Sequence, residues 1–169
     1  MGTSVKQQAE EWLKLMGSTP IDIQDPGTEW HFQFDYPANT PHIMHVAVPK
    51  ERPSGIVIVS GTDVSHEHLE AFAALDDEAK EDFLWDLRNT LNVVDVDFKM
   101  EGVSGDLDCP TQVKISVTRY EDGLTLDSFA RSVGAVFKTE LNGIWVILRH
   151  LGGKRFGTGG RFDFKRLGY

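Results

Sequence analysis

Apolar residues recur at three- and four-residue steps near the start of the chain, which predicts an amphipathic helix. Ser4 and Gln7 form the pattern of a capping box, which places the beginning of this helix at Ser4. Gly17 supplies the left-handed residue that commonly ends a helix. The helix needs a partner to cover its apolar stripe, which contains Val5, Ala9, Trp12, Leu13 and Met16.

The same spacing predicts three further helices, over residues 65–74, 77–91 and 125–151. Ser65 and Asp76 are good N-cap residues for the first two. The last helix would be about 40 Å long, enough to cross a whole sheet. Gly134 and Gly143 weaken it by up to about 1 kcal/mol each relative to alanine, which indicates that they permit close packing or a bend.

Alternation of apolar and polar residues predicts five strands, at 29–36, 42–48, 56–60, 93–100 and 111–119. In the first strand the aromatic residues point one way and the polar residues the other. The third strand, IVIVS, is apolar on both faces, which is typical of a central strand. In the fourth strand the residues predicted to point inward are Val94, Val96, Phe98 and Met100.

The resulting order, αβββααββα, separates strands from helices, so the predicted fold class is α+β. A meander of three strands and a hairpin of two make one five-stranded antiparallel sheet packed by helices. A chain of 169 residues is about one domain in length. We therefore predict a single α+β domain over residues 1–151 and a basic C-terminal tail, rich in glycine and phenylalanine, over residues 152–169.

The sequence has none of the usual signals of a membrane or secreted protein. No apolar run approaches the roughly 18–20 residues that cross a bilayer, and the N-terminus lacks the apolar core of a signal peptide. The single Cys109 can form neither an internal disulfide nor a zinc cluster. We expect a soluble cytoplasmic protein without membrane contact, in which Cys109 is a small, partly buried side chain rather than a reactive thiol.

The stretch GTDVSHEHLEAF contains two histidines and an acid, His66, Glu67 and His68. If Ser65 caps a helix, the two histidines lie about 200° apart around its axis and cannot bind one metal ion. The H-x-E spacing also occurs in zinc deaminases, but those enzymes need a P-C-x-x-C motif that is missing here. We interpret the stretch as a helix start, with Glu67 stabilised by the helix dipole.

The remaining acids and histidines also have structural explanations. Asp95 and Asp97 share a strand face, but Lys99 follows them there, as on the solvated side of a sheet. His31 can meet another histidine across the meander, although a solvated face is the preferred interpretation. No hydrolase or phosphate-binding motif occurs. We expect no catalytic residue, no metal and no cofactor. An enzyme whose site is assembled from distant residues ranks third, after the two binding hypotheses given below.

The net charge of −9 is distributed unevenly. The tail carries five cations against one aspartate, or +4, which leaves −13 for the first 151 residues. Cations that find phosphates and rings that stack on bases are typical of an RNA-binding tail. The equally weighted alternative is a solvated tail whose phenylalanines lie back on the acidic body. The nucleic-acid-binding candidates are Lys154, Arg155, Phe156, Arg161, Phe162, Phe164, Lys165 and Arg166.

Several stretches resemble an archaeal family of domains of unknown function, family 2299: PKERPSGIVIVSGTDVSHEHLEAF, WDLRNTL and DGLTLDSFARSVGAVFKTELNGIW. The resemblance covers roughly residues 4–150 and leaves the tail outside. It implies a fold similar to that of type III secretion chaperones, which are small, acidic, usually homodimeric, and hold partly unfolded client segments. The family has no established activity to carry over.

Two functional hypotheses follow. The first is a non-enzymatic protein-binding module, chaperone-like or adaptor, that forms a homodimer and contacts a protein partner or client through an aromatic surface. Its candidate residues are Trp30, Phe32, Phe34, Trp85 and Trp145. The alternative is a ribosome- or RNA-associated factor that uses the basic tail.

Overall fold

A computed structural model describes residues 4–152. It contains four α-helices, six strands and one 3-10 helix. The helices are α1 (Val5–Leu15), α2 (His66–Ala73), α3 (Asp77–Leu91) and α4 (Leu126–Leu151). The strands are β1 (Ile21–Asp22), β2 (Thr28–Asp35), β3 (Ile43–Pro49), β4 (Gly55–Asp63), β5 (Asp97–Glu101) and β6 (Gln112–Tyr120), and the 3-10 helix is Glu121–Gly123. An α+β class with an antiparallel meander is therefore confirmed.

The sheet has six strands rather than the predicted five, in the order β1-β2-β3-β4-β6-β5. The added strand, β1, has two exposed residues, so it shows no apolar alternation that the sequence could reveal. It is identified by its antiparallel pairing, in which Ile21 lies opposite Gln33. Beyond β4, strand β6 lies inside the sheet and β5 forms its edge.

The helix ends lie where the capping residues predict. Ser4 accepts a hydrogen bond from the Gln7 amide and its own amide donates to the Gln7 side chain, which confirms the capping box. Gly17 has a φ of 83°. Asp76 accepts from the Ala79 amide at 2.9 Å and so caps α3.

The prediction of a strand over residues 93–100 is wrong in its first half. The ordered strand begins at Asp97, and Val94, predicted to point inward, is 86% exposed. Asp95 adopts a φ of 66°, a left-handed conformation outside the β region that regular strands occupy. Asp95 and Asp97 therefore do not form the shared strand face that alternation predicts.

The described residues form two compact units. The first comprises the described residues up to Ser60 together with Ser116–Phe137. Its core is built from α1, β2, β3 and the first part of α4. Trp12 packs against Phe129 with ring centroids 5.4 Å apart, and Tyr36 meets Phe137 edge-on at 5.4 Å. The apolar stripe of α1 is thus covered, as the sequence requires.

The second unit comprises Gly61–Ile115 and the described residues from Lys138 onward. Phe72 of α2 packs edge-on against Phe83 of α3 at 5.6 Å. A Cβ at Gly143 of α4 would lie 3.0 Å from Leu91 of α3, so this glycine permits close packing of the two helices. The prediction that residues 1–151 form one domain stays a prediction.

Candidate functional site

The two histidines of the GTDVSHEHLEAF stretch bind different partners. Ser65 caps α2, and its hydroxyl lies 2.9 Å from Nδ1 of His68. His66 is exposed and its Nε2 lies 3.2 Å from the Glu70 carboxylate, one turn along the helix. Within residues 4–152, no group of three or more histidine, cysteine or acidic side chains could hold a metal ion. The structural interpretation of this stretch therefore accounts for both rings.

A second histidine pair lies across the β2–β3 ladder. Nε2 of His31 is 2.9 Å from Nδ1 of His45, and Nδ1 of His31 is 3.5 Å from the Asp25 carboxylate. His45 is only 6% exposed, so the prediction of a solvated face is wrong here. Burial, and then the neighbouring His31, lower the pKa of His45 to about 4. The contact links two strands of the sheet.

His42 and Ser60 also lie close together. Nδ1 of His42 is 2.7 Å from the Tyr36 carbonyl oxygen, and Nε2 is 3.4 Å from Oγ of Ser60. Both side chains are buried. A substrate cannot approach a hydroxyl in this position without opening the core, so the contact has the character of a structural hydrogen bond.

The remaining candidates for chemistry are occupied or unreactive. Burial raises the pKa of the Cys109 thiol to about 11, so the nucleophilic thiolate is not available near neutral pH. The Asp108 carboxylate accepts hydrogen bonds from the Ser104 and Gly105 amides at 2.9 and 2.7 Å and so closes the loop after β5. These residues are explained by the local structure that they stabilise.

The five predicted protein-binding residues occupy different environments. Phe32 and Phe34 are core residues of β2, 3% and 1% exposed, and contribute nothing to a surface. Trp30 is half-buried at a polar groove of about 530 Å³ that includes Lys6 and Asp25. Trp85 and Trp145 are 67% and 53% exposed, on α3 and α4 of the second unit. Among these five residues, the exposed ones therefore lie on helices rather than on the sheet.

Trp85 borders a surface groove of about 680 Å³. We call it the Trp85 groove. One wall comes from α3 and the other from the segment between β5 and β6. Three carboxylates and one guanidinium line it together with apolar side chains, so its rim is acidic. The lining residues are Glu81, Asp82, Leu84, Trp85, Arg88, Asp106 and Leu107.

Trp145 lies on the face of α4 away from Gly143. Leu141, Trp145 and Leu148 follow one another at four- and three-residue steps and so share a face of the helix. The two leucines are half-buried, whereas Trp145 projects into solvent. An apolar stripe of this kind is typical of a helix that packs against another surface.

Other predicted or missed residues complete this survey. The nucleic-acid-binding candidates, from Lys154 to Arg166, lie outside the described residues. Within residues 4–152, no helix is both long enough and apolar enough to cross a membrane. Asp106 and Leu107 of the Trp85 groove were not predicted as site residues. They belong to an irregular loop, and only the tertiary fold brings them to α3.

Comparison with known proteins identifies the family. This chain is similar to a crystal structure of an uncharacterized protein from Methanothermobacter thermautotrophicus, with 26% sequence identity and a TM-score of 0.78. The match covers 87% of this chain and 99% of that chain. The structure of YbjN from E. coli is 14% identical at a TM-score of 0.40, covering 86% and 90%, which is too remote to support an argument. No curated protein matches the sequence. The model of the family described as uncharacterized conserved protein (DUF2299) matches residues 5–147, and the chain belongs to this family.

Proposed function

We propose that the chain is a non-enzymatic protein-binding module of the cytoplasm, chaperone-like or adaptor in kind, that forms a homodimer. The observation that carries the proposal is the exposure of Trp85 and Trp145 on α3 and α4. Tryptophan is enriched among the residues that contribute most to the energy of protein interfaces. Its large ring stabilises a complex when a partner covers it, because apolar surface is removed from water.

A non-enzymatic role is supported by the state of the groups that could carry chemistry. The Cys109 thiol is held protonated by its raised pKa. His66 pairs with Glu70 of its own helix, His68 lies beside the N-cap residue Ser65, and Asp108 accepts amide hydrogens. The two histidines and Asp108 already have structural partners, whereas the two tryptophans have large exposed areas.

The test uses the full chain and three single variants, Trp85→Ala, Trp145→Ala and Tyr120→Ala. Tyr120 is a matched control, since it is 51% exposed but belongs to β6. The chain is purified from its native cells, and the affinity for the recovered partner is measured with each variant. Loss of an interface tryptophan should weaken binding by about 2 kcal/mol, or roughly 30-fold, while Tyr120→Ala should not.

Light scattering of the same samples tests the homodimer. A dimer whose mass falls towards that of a monomer in one tryptophan variant would support self-association through that face. A strict monomer that recovers no protein from the cells would overturn the proposal as a whole.

A second candidate function, binding to RNA or the ribosome, is favoured by the interleaved cations and rings of residues 152–169. The first 151 residues carry −13 and should repel polyanions, so the tail must supply the affinity. Five cations predict a slope of log affinity against log salt of about −4.5 on a duplex. Deletion of residues 152–169 should abolish this binding and nuclease should remove it, whereas unchanged affinity would contradict the idea.

A further inference from the structure

The Trp85 groove combines an exposed apolar side chain with an acidic rim. Leu84 and Leu107 line it beside Trp85, and Glu81, Asp82 and Asp106 supply carboxylates against the single cation Arg88 among the lining residues. A ligand that fits this surface carries a ring or aliphatic group for the indole and positive charges for the rim. A basic segment with interspersed aromatic residues has this chemistry.

The end of α4 packs against α3, the helix that carries Trp85. Gly143 is next to Leu91 near the end of α3, whereas Nε2 of His150 is 2.8 Å from the Asp86 carboxylate and its ring is 5.6 Å from that of Phe83. The two helices therefore run antiparallel, and α4 ends beside the half of α3 that carries Glu81 and Asp82. The helix ends at Leu151, one residue after His150.

Residues 152–169 have the length and the charge that the Trp85 groove requires. Eighteen residues span up to roughly 60 Å when extended, several times the 10–12 Å diameter of a helix. Lys154 and Arg155 follow Leu151 within about four residues, or roughly 13 Å of extended chain. The segment carries +4 and three phenylalanines, Phe156, Phe162 and Phe164.

We propose that residues 153–169 dock in the Trp85 groove of their own chain, with cations paired to the Glu81, Asp82 and Asp106 carboxylates and a phenylalanine ring against the Trp85 indole. Because a short tether gives an effective concentration near the millimolar range, even a weak contact is populated. The docked segment then covers Trp85, so a partner or RNA that binds either element must displace it. This inference does not depend on the proposed protein partner.

The experiment measures proximity within the intact chain. A Cys109→Ser, Thr158→Cys double variant carries one nitroxide at position 158, and the indole N–H signals of a ¹⁵N-labelled sample report which tryptophans lie near it. Docking predicts loss of most of the Trp85 signal and retention of the Trp145 signal, with Trp85→Phe and Trp145→Phe providing the assignments. Recovery of the Trp85 signal in about 1 M salt, where the screening length is about 3 Å, is expected.

A charge variant and its control test the rim. In the spin-labelled chain, Glu81→Lys with Asp82→Lys should restore the Trp85 signal, while Glu11→Lys with Asp122→Lys, which change net charge equally at exposed sites elsewhere, should not. A dispersed spectrum in each variant verifies folding. The proposal is overturned if Trp85 and Trp145 respond alike, or if neither responds and the tail contacts only added RNA. It is also overturned if a mixture of spin-labelled and ¹⁵N-labelled chains shows the same loss, because the contact then belongs to a second copy.

Discussion

At the scale of single residues, the buried His31–His45 contact makes stability depend on pH. The pKa of His45 is lowered from 6.5 to about 4 by burial and by His31, so a proton binds the unfolded chain first as the pH falls. The contribution is fully present above pH 6.5 and is lost between pH 6.5 and about 4, at up to about 1.4 kcal/mol per pH unit. Urea unfolding across this pH range measures the loss.

Two histidine variants separate this effect from general acid denaturation. His45→Gln removes the buried titrating ring and should flatten the fall in the free energy of unfolding between pH 6.5 and 4. His66→Gln removes an exposed ring that is paired only with Glu70 and should leave the fall as it is in the unaltered chain. Equal slopes in all three proteins would show that His45 is not its source.

A glycine after β5 is required for both conformation and space. Gly102 has a φ of 81°, and a Cβ there would lie 2.5 Å from Oγ1 of Thr111. Gly102→Ala should therefore lower the free energy of unfolding by at least about 1 kcal/mol, through backbone strain and displacement of Thr111. Gly123→Ala is the control, since nothing lies within 4 Å of its Cβ position, and comparable losses in the two variants would refute the argument.

At the scale of secondary-structure elements, the two glycines of α4 should respond differently to alanine. At Gly134 the nearest atom to a Cβ is Oη of Tyr36 at 3.8 Å, an ordinary contact, so alanine should stabilise the helix by about 0.5–1 kcal/mol. At Gly143 the Cβ would meet Leu91, which is fully buried, at 3.0 Å. Gly143→Ala should gain less or lose stability, and thermal unfolding that gives equal gains for both would contradict the close packing.

The elements that the sequence predicted well are those determined by neighbours in the chain. The ends of α1 and α3 follow from Ser4, Gln7 and Asp76, whose side chains cap amides three residues away. The failures concern pairing. β1 is identified by its hydrogen bonding to β2 rather than by its own sequence pattern. The alternation around Val94 continues into a turn, where Asp95 takes a left-handed conformation that periodicity cannot detect.

At the scale of the whole molecule, the candidate site is less predictable because distant segments form it. Trp85 was among the predicted residues, but nothing in the sequence indicates that Leu107 lies beside it. The same limit applies to the histidines: His31 and His45 were recognised as possible neighbours across the meander, while the burial of His45 depends on packing that periodicity does not show. Local rules locate elements, and tertiary packing decides which side chains share a surface.

The two compact units share three continuous elements, β4, β6 and α4, each of which has residues in both. Unfolding of one unit would break hydrogen bonds in elements that continue into the other unit. We therefore predict that the chain melts in one cooperative transition. Leu13 and Leu87 are both fully buried, one in each unit. Leu13→Ala and Leu87→Ala should each cost about 2–5 kcal/mol and lower the same Tm by about 2–4 °C per kcal/mol.

Differential scanning calorimetry measures this, with Leu15→Ala as the control because that leucine lies on α1 but is exposed. One transition that both core variants shift, with equal calorimetric and van't Hoff enthalpies, is the expected result. Two transitions, of which Leu13→Ala shifts one and Leu87→Ala the other, would mean that the shared elements do not couple the units. The prediction of a single domain over residues 1–151 would then have to be replaced by two independently stable units.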